Sequence, residues 1–449
     1  MNGTDGTNGE AGPPGPPGSG GGDASASISG ITPPQSFLAR TTEVTISGYG
    51  TNWSSTTTVD FGADVMVNKL TVASPTALVA NITTSATAAT GPRDVNVKDG
   101  TNTETYKGAF QVLSPLALTF EGTMAQGSLA LVSAQVLDTS TPLDTTTDPF
   151  SGTYTNLAIN LPAGITGQVI SASDFSATIE LFIDVPAAAG MSDFDVVSGP
   201  MGAPSNVDFP APKTLTIAAR TPTALTAGTP ATGTTAAIYA TSLYSFTPAS
   251  ASTEILDFTV STTSSTATPA LIILPSDGKW ADEVASGQAA TGAPSTFTWF
   301  SQAATALYGV TFDNSGATGP FSVGVVTTAA STAVADETKD GNKAGAVTGT
   351  LPFVLTGGDQ SVGMGQDWVA IKSTTANQVV RAQTVGDPNT DTQVAVYQSN
   401  GTTQVGATID TGSLADGTVT LPTVGTYYFV FSAGTMGGAG GTTFNGILR

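Results

Sequence analysis

Short runs in which apolar and polar residues alternate, each closed by Gly, Pro or Asn, recur along most of this chain. Glu43-Val44-Thr45-Ile46-Ser47, Thr58-Val59-Asp60-Phe61 and Asp94-Val95-Asn96-Val97 are early instances. A period of two puts successive side chains on opposite faces of an extended backbone, so each run reads as one half-buried strand of an antiparallel sheet. Thr, Ser, Ala, Gly and Val dominate while Glu, Lys and Arg are scarce, which favours strands and turns over helices. The 449 residues exceed what one hydrophobic core organises. The predicted fold class is therefore all-β, a row of tandem β-sandwich domains.

The N-terminus has a different period. Glycine stands at positions 3, 6, 9, 12, 15 and 18, ending in Gly12-Pro13-Pro14-Gly15-Pro16-Pro17. This is a collagen-like repeat: only Gly fits where three polyproline-type chains meet, and Pro pre-sets the extended backbone elsewhere. Five triplets hold three chains together only with help from another trimerising element, so residues 1–27 read either as a short association segment or as a non-globular spacer. Ser19-Gly20-Gly21-Gly22 then reads as a hinge. Met1-Asn2-Gly3 lacks the basic and apolar parts of a signal peptide, and a hydrophilic, Gly-rich start resembles mature bacterial lipoproteins. A lipidated Cys in place of Met1, as a lipid anchor upstream of Asn2, is the expectation that follows. No apolar run is long enough to be a transmembrane segment.

Residues 28–114 carry Ile31-Thr32-Pro33-Pro34, Thr45-Ile46-Ser47-Gly48, Val59-Asp60-Phe61-Gly62, Gly91-Pro92-Arg93-Asp94-Val95-Asn96-Val97 and Ala109-Phe110-Gln111-Val112. This region resembles the immunoglobulin-like domain shared by plexins and transcription factors (IPT/TIG) in its bacterial surface-protein form. Residues 115–220 read as a second immunoglobulin-like sandwich, because Val72 to Val97 aligns without gaps on Ser171 to Val196 after a shift of 99, matching Gly91 with Gly190 and Asp94 with Asp193. The shared Gly-Xaa-Xaa-Asp is expected to mark a tight entry into a late strand, with the Asp structural.

A Thr, Ala, Pro and Gly stretch after Arg220 reads as a linker or a first edge strand, and two similar β units follow, 221–330 and 331–449. The last contains Asp367-Trp368-Val369-Ala370-Ile371, Gln393-Val394-Ala395-Val396-Tyr397-Gln398-Ser399-Asn400-Gly401 and Val424-Gly425-Thr426-Tyr427-Tyr428-Phe429-Val430-Phe431. These signatures resemble the bacterial pre-peptidase C-terminal domain, which implies a jelly-roll-like sandwich of the kind appended to secreted proteases and surface proteins. The counterparts in 221–330 are Tyr244-Ser245-Phe246, Ala270 to Gly278 and Ala306 to Phe312.

Charge and missing residues exclude several functions. With 34 acidic against 13 basic residues the formal net charge is -21, so the clustered cations that hold nucleic acid are absent and an anionic membrane surface repels the chain. There is no cysteine and no histidine. That removes disulfides, thiolate chemistry and the usual general base near neutral pH, and no Gly-Xaa-Ser-Xaa-Gly elbow or Ser-Lys pairing replaces them. The expectation is no enzyme, and lack of disulfides in a row of small β domains favours a bacterial source.

Calcium is the cofactor that such a chain could hold, since hard cations take carboxylate and carbonyl oxygens on loops. The lead-in Asp336-Glu337-Thr338-Lys339-Asp340-Gly341-Asn342 lies where some pre-peptidase-type collagen-binding domains carry calcium ligands, which implies Asp336, Glu337, Asp340, Asn342 and Asp367 as metal candidates. Asp387-Pro388-Asn389-Thr390-Asp391 is a second, sparser cluster, and solvated turns account for both without a metal. Among aromatics that could stack on sugars, Trp53, Trp280 and Trp299 lie near turns and are candidates for exposure. Trp368 reads as core, and alternate rings of Tyr427 to Phe431 should enter the core.

The function these features predict is a secreted or cell-surface structural or adhesive protein without catalytic activity. Its partner would be itself, as a trimer or fibre, or another surface or matrix component. The alternatives are a subunit of an extracellular fibre and a polymer-targeting accessory of a secreted hydrolase.

Overall fold

Leu78, Ala80 and Ile82 point into a core and the residues between them do not, so the alternation of the sequence becomes alternation of burial along Ala77–Thr84. The same conversion repeats through a computed structural model that describes residues 25–140, 157–198, 213–249, 252–302, 304–313, 315–335, 341–359, 365–386, 390–434 and 443–449. The collagen-like triplets lie outside them. The described residues are almost entirely β, arranged in eight sheets that pair along the chain.

The first sandwich comprises β1 (Ser27–Thr32), β2 (Gln35–Phe37), β3 (Thr41–Tyr49), β4 (Thr58–Asp60), β5 (Val65–Ser74), β6 (Ala77–Thr84), β7 (Gly91–Asp99) and β8 (Asn102–Leu113). Its sheets run β1-β3-β6-β5 and β2-β8-β7-β4 around Val44, Ile46, Phe61, Ile82 and Phe110. The second comprises β9 (Leu116–Gly122), β10 (Ser128–Val136), β11 (Leu157–Asn160), β12 (Ile165–Ser173), β13 (Ser176–Ile183), β14 (Gly190–Ser198) and β15 (Lys213–Ile217), in sheets β9-β10-β13-β12 and β11-β14-β15. Both follow the A-B-E-D and C-F-G order of immunoglobulin sandwiches, the first with β2 added.

The 99-residue repeat maps β6 onto β13 and β7 onto β14 residue for residue. Gly91 and Gly190 open β7 and β14 with φ of 123° and 120°, where a Cβ would meet nothing within 4 Å. Backbone conformation rather than crowding therefore requires the glycine. Asp94 accepts a hydrogen bond from the Gly108 amide at 2.8 Å, a structural role.

The third sandwich comprises β16 (Thr223–Ala224), β17 (Ala231–Thr235), β18 (Ser242–Phe246), β19 (Glu254–Thr262), β20 (Ala270–Leu274), β21 (Ala285–Gln288), β22 (Ser295–Ser301), β23 (Leu307–Phe312) and β24 (Gly319–Ala329). The fourth comprises β25 (Ser331–Val334), β26 (Val347–Gly349), β27 (Phe353–Asp359), β28 (Gln366–Ser373), β29 (Gln378–Gly386), β30 (Thr392–Tyr397), β31 (Ile409–Asp410), β32 (Asp416–Leu421), β33 (Gly425–Ala433) and β34 (Thr443–Leu448). The front sheet of the third runs β16-β18-β23-β20-β21 and its back sheet β17-β24-β19-β22. Ten added to every strand number gives the fourth, β26-β28-β33-β30-β31 in front and β27-β34-β29-β32 behind, where β25 joins beside β27. The stretch after Arg220 is no linker, because β16 and β17 are edge strands of the two sheets.

Contacts divide the chain into two compact units, residues 1–117, 136–144 and 197–211 in one and 118–135, 145–196 and 212–449 in the other. Within the first, the Arg40 guanidinium donates to Asp138 at 2.6 Å. Burial alone raises the Asp138 carboxyl, but hydrogen bonds from Ser140 and Arg40 outweigh it and hold the pKa below the usual value.

Within the second unit, sandwiches meet through apolar surfaces. Leu129, Leu131 and Phe182 pack on Leu243, Leu274, Trp280, Val310 and Phe312 of the third front sheet and its loops. Trp280 donates its indole N–H to the Ile183 carbonyl at 2.9 Å and its amide to Asp184 at 3.0 Å. Burial of Asp184 raises its carboxyl pKa despite that amide. Gly278, at φ 68°, leaves the space that Val185 fills, for a Cβ there would lie 2.6 Å from the Val185 Cβ. On the other side, Ile255 and Phe300 of the third back sheet pack on Val354, Val385 and Ile447 of the fourth. Arg449 pairs there with Asp257 and donates to Thr298 at 3.2 Å.

Candidate binding face on the fourth sandwich

Strand β28 sets the site through its phase. Val369 and Ile371 enter the core, which puts Gln366, Trp368, Ala370 and Lys372 on the outer face of the front sheet. In β33, Tyr427, Phe429 and Phe431 enter the core and Tyr428 faces outward, as the alternation of that run predicts. Strand β30 adds Gln393, Ala395 and Tyr397 outward. Register places Trp368 opposite Val430, and Tyr397 directly opposite Tyr428.

Trp368 and Tyr397 are separated by the width of β33, yet their ring centroids are 5.8 Å apart with planes inclined by only 17°. The indole therefore reaches across β33 above Val430, which is buried although it faces outward. Tyr428 meets Trp368 edge-on at 5.8 Å. All three rings remain half-buried, so part of each stays open to solvent. Lys343 puts its ammonium 5.4 Å from the Tyr428 ring centroid and donates to the Ser399 carbonyl at 2.8 Å. At the opposite end, Gln366 accepts from the Trp368 indole at 3.3 Å and Gln393 donates to the Ala433 carbonyl at 2.8 Å.

This corrects the sequence reading of the tryptophans. Trp368, expected in the core, lies on the outer face, whereas Trp53 and Trp280, candidates for exposure because they lie near turns, are 3% and 6% exposed. Trp53 is enclosed by the first sandwich, and Trp280 by the second and third together. Trp299 is half-buried, stacked on Phe300 with centroids 5.4 Å apart. The signal for Trp368 was present in Val369 and Ile371, two positions apart, which leave the intervening side chains on the other face.

Of the calcium candidates, Asp336, Glu337 and Asp340 lie outside the described residues. Asn342 caps the short turn Lys343–Gly345, accepting from the amides of Ala344 and Gly345. The Gly341 amide donates to the Gln366 carbonyl at 3.2 Å, so the lead-in does pass the start of β28. Asp367, however, points inward at 6% exposure, beside Gly358. Asp387, Pro388 and Asn389 also lie outside the described residues, and Thr390 and Asp391 are buried instead of occupying a solvated turn. Among the described residues no group of three or more acidic side chains is placed to hold a metal. No described helix is long and apolar enough to cross a membrane.

No family model and no curated protein matches the chain. Solved structures similar to it include tripeptidyl peptidase 2, at 10% identity and a TM-score of 0.20, covering 75% of this chain and 34% of that one. This chain thus spans about a third of that protein. Another is the Bacteroides ovatus mixed-linkage glucan utilization protein SGBP-B in complex with a mixed-linkage heptasaccharide, at 10% identity, TM-score 0.17 and coverage of 92% and 93%. The exported protein XepA of PBSX is 15% identical over 53% of this chain and 90% of its own, with a TM-score of 0.17. At such scores none of these likenesses bears on ligand or activity.

Proposed function

We propose that this is a secreted or cell-surface protein of structural and adhesive function, without catalytic activity. The observation that carries this is the third sandwich, gripped on its front by the second and on its back by the fourth through closed apolar surfaces. Sandwiches joined in this way transmit force and hold an orientation, which suits a scaffold that presents a terminal surface. The absence of His and Cys supports the non-catalytic part. On this reading the first two sandwiches are IPT/TIG-type modules and the last two pre-peptidase C-terminal-type modules of a bacterial surface protein, and the collagen-like segment tethers it.

Fibre assembly by edge pairing has less support. The edge strands β5 and β12 carry bulges, between Val67 and Lys69 and between Val169 and Ser171, and such irregularity blunts an edge against pairing with another chain. The polymer-targeting alternative gains from the aromatic face. Antibody labelling of intact cells, with light scattering of the purified chain across a concentration series with and without calcium, tests the proposal. Surface labelling with a constant or discrete mass is the expected result. Label confined to the cell interior would overturn it, and open-ended growth would put the fibre reading first.

A further inference from the structure

We infer that the outer face formed by Trp368, Tyr397 and Tyr428 is a binding platform for an acidic polysaccharide. This rests on the adhesive reading and names what the terminal sandwich holds. Corresponding sheets of the third and fourth sandwiches point to the chemistry. The third buries Leu243, Leu274, Val310 and Phe312 against another sandwich, in a joint where the polar edges of Trp280 and Tyr239 are taken up by the Ile183 carbonyl and Glu180. On the same sheet of the fourth, indole and phenol rings stand beside the amides of Gln366 and Gln393 and the ammonium groups of Lys343 and Lys372. Rings with a polar edge suit a ligand that has an apolar face and a hydroxylated rim, as a pyranose does.

Charge then selects among polysaccharides. In a chain with 34 acidic and 13 basic residues, the outward positions of β28, β33 and β30 carry no carboxylate. The Tyr428 end has two lysines, Lys343 against the ring and Lys372 on the row next to it. The carboxylate nearest in register, Asp410, sits opposite Gln393 on the edge strand β31, at the other end. An anionic chain repelled by the rest of the surface would meet favourable charge here. The rows from Gln366 to Lys372 extend about 20 Å, at about 3.3 Å per residue, long enough for several linked sugar rings.

Affinity electrophoresis of the whole purified chain in gels containing polygalacturonate or a neutral β-glucan tests this. Retardation by polygalacturonate, weakening as salt rises, is the expected result. Trp368→Ala should weaken it about tenfold or more. Lys343→Gln with Lys372→Gln should abolish the preference for the acidic polymer. Circular dichroism would confirm that each variant is folded, and the lysine pair, lying at the surface, serves if Trp368→Ala fails that check. Equal retardation by the neutral polymer, or none by polygalacturonate with folded wild-type protein, would overturn the assignment. Failure here would leave surface labelling of cells unaffected, so the two proposals fail separately.

Discussion

The front sheets of the third and fourth sandwiches share one strand order and have opposite fates. In the third, Leu243, Val310 and Phe312 are closed off by the second sandwich, and Trp280 from a neighbouring loop completes the seal. In the fourth, Trp368, Tyr397 and Tyr428 face solvent with rings half-covered by one another. The difference teaches that strand order fixes which residues face outward but not whether an outward residue is buried. Another domain decides that: in the joint the edges of Trp280 and Tyr239 find partners on the second sandwich, whereas on the fourth the rings and amides keep part of their surface toward water.

The largest effect should come from opening the closed face. Trp280→Ala removes a buried indole and its hydrogen bond to Ile183, at an expected cost of about 3–5 kcal/mol. Calorimetry should show the loss in the transition that includes the second and third sandwiches. If the melting temperature stays unchanged, that joint is not a source of stability and the contrast between the sheets collapses.

On the third sandwich's other face, Arg449→Ala removes the partner of Asp257 and a bond to Thr298. Loss of hydrogen bonds to a charged group should cost about 2 kcal/mol, measured as a shift in the urea midpoint. Arg449→Lys should recover part of it. A midpoint unmoved by Arg449→Ala would show that the apolar contacts alone hold the back joint.

The closed face should also be sensitive to alkali. Tyr239 donates to Glu180 across the joint at 3.1 Å, and burial, with the neighbouring Glu180 charge, pushes its phenol up to about 12 from 10.0. The folded state thus holds this proton more tightly than the unfolded chain does. The stability that results is complete below about pH 10 and is lost as pH rises through about 12. Denaturation series at increasing pH should show this decline, and Tyr239→Phe should reduce it. An identical decline in the variant would assign the alkaline loss to other groups.

The smallest stability effect is expected on the open face. Trp368→Ala removes ring contacts without emptying a core, so it should cost about 1 kcal/mol. A loss as large as that of Trp280→Ala would mean that the face is structural.

Much of the fold could be read from residue order. The phase of Glu43 to Ser47, the 99-residue repeat and the likeness of the last two units correspond to strand β3, to matching strands in the first two sandwiches and to one strand order shared by the last two. Gly91 and Gly190 were readable as entries to strands because a positive φ leaves a glycine in the sequence. The candidate site was harder to see. Trp368 reads as core from its place in an alternating strand, although Val369 and Ile371 fix the opposite face for it, and its ring meets Tyr397 across β33, which comes later in the chain than both. Trp280 looked like a turn residue because what buries it, Phe182 and the Ile183 carbonyl, comes from another sandwich.

Period, composition and repetition by themselves determined an all-β chain of several cores, since alternation and turn residues act within a few positions and need no distant partner. Only the tertiary structure decided which outward faces are joints and which are open, because burial of an outward face depends on surfaces brought together from residues about a hundred positions apart, as with Trp280 and Asp184, 96 positions away.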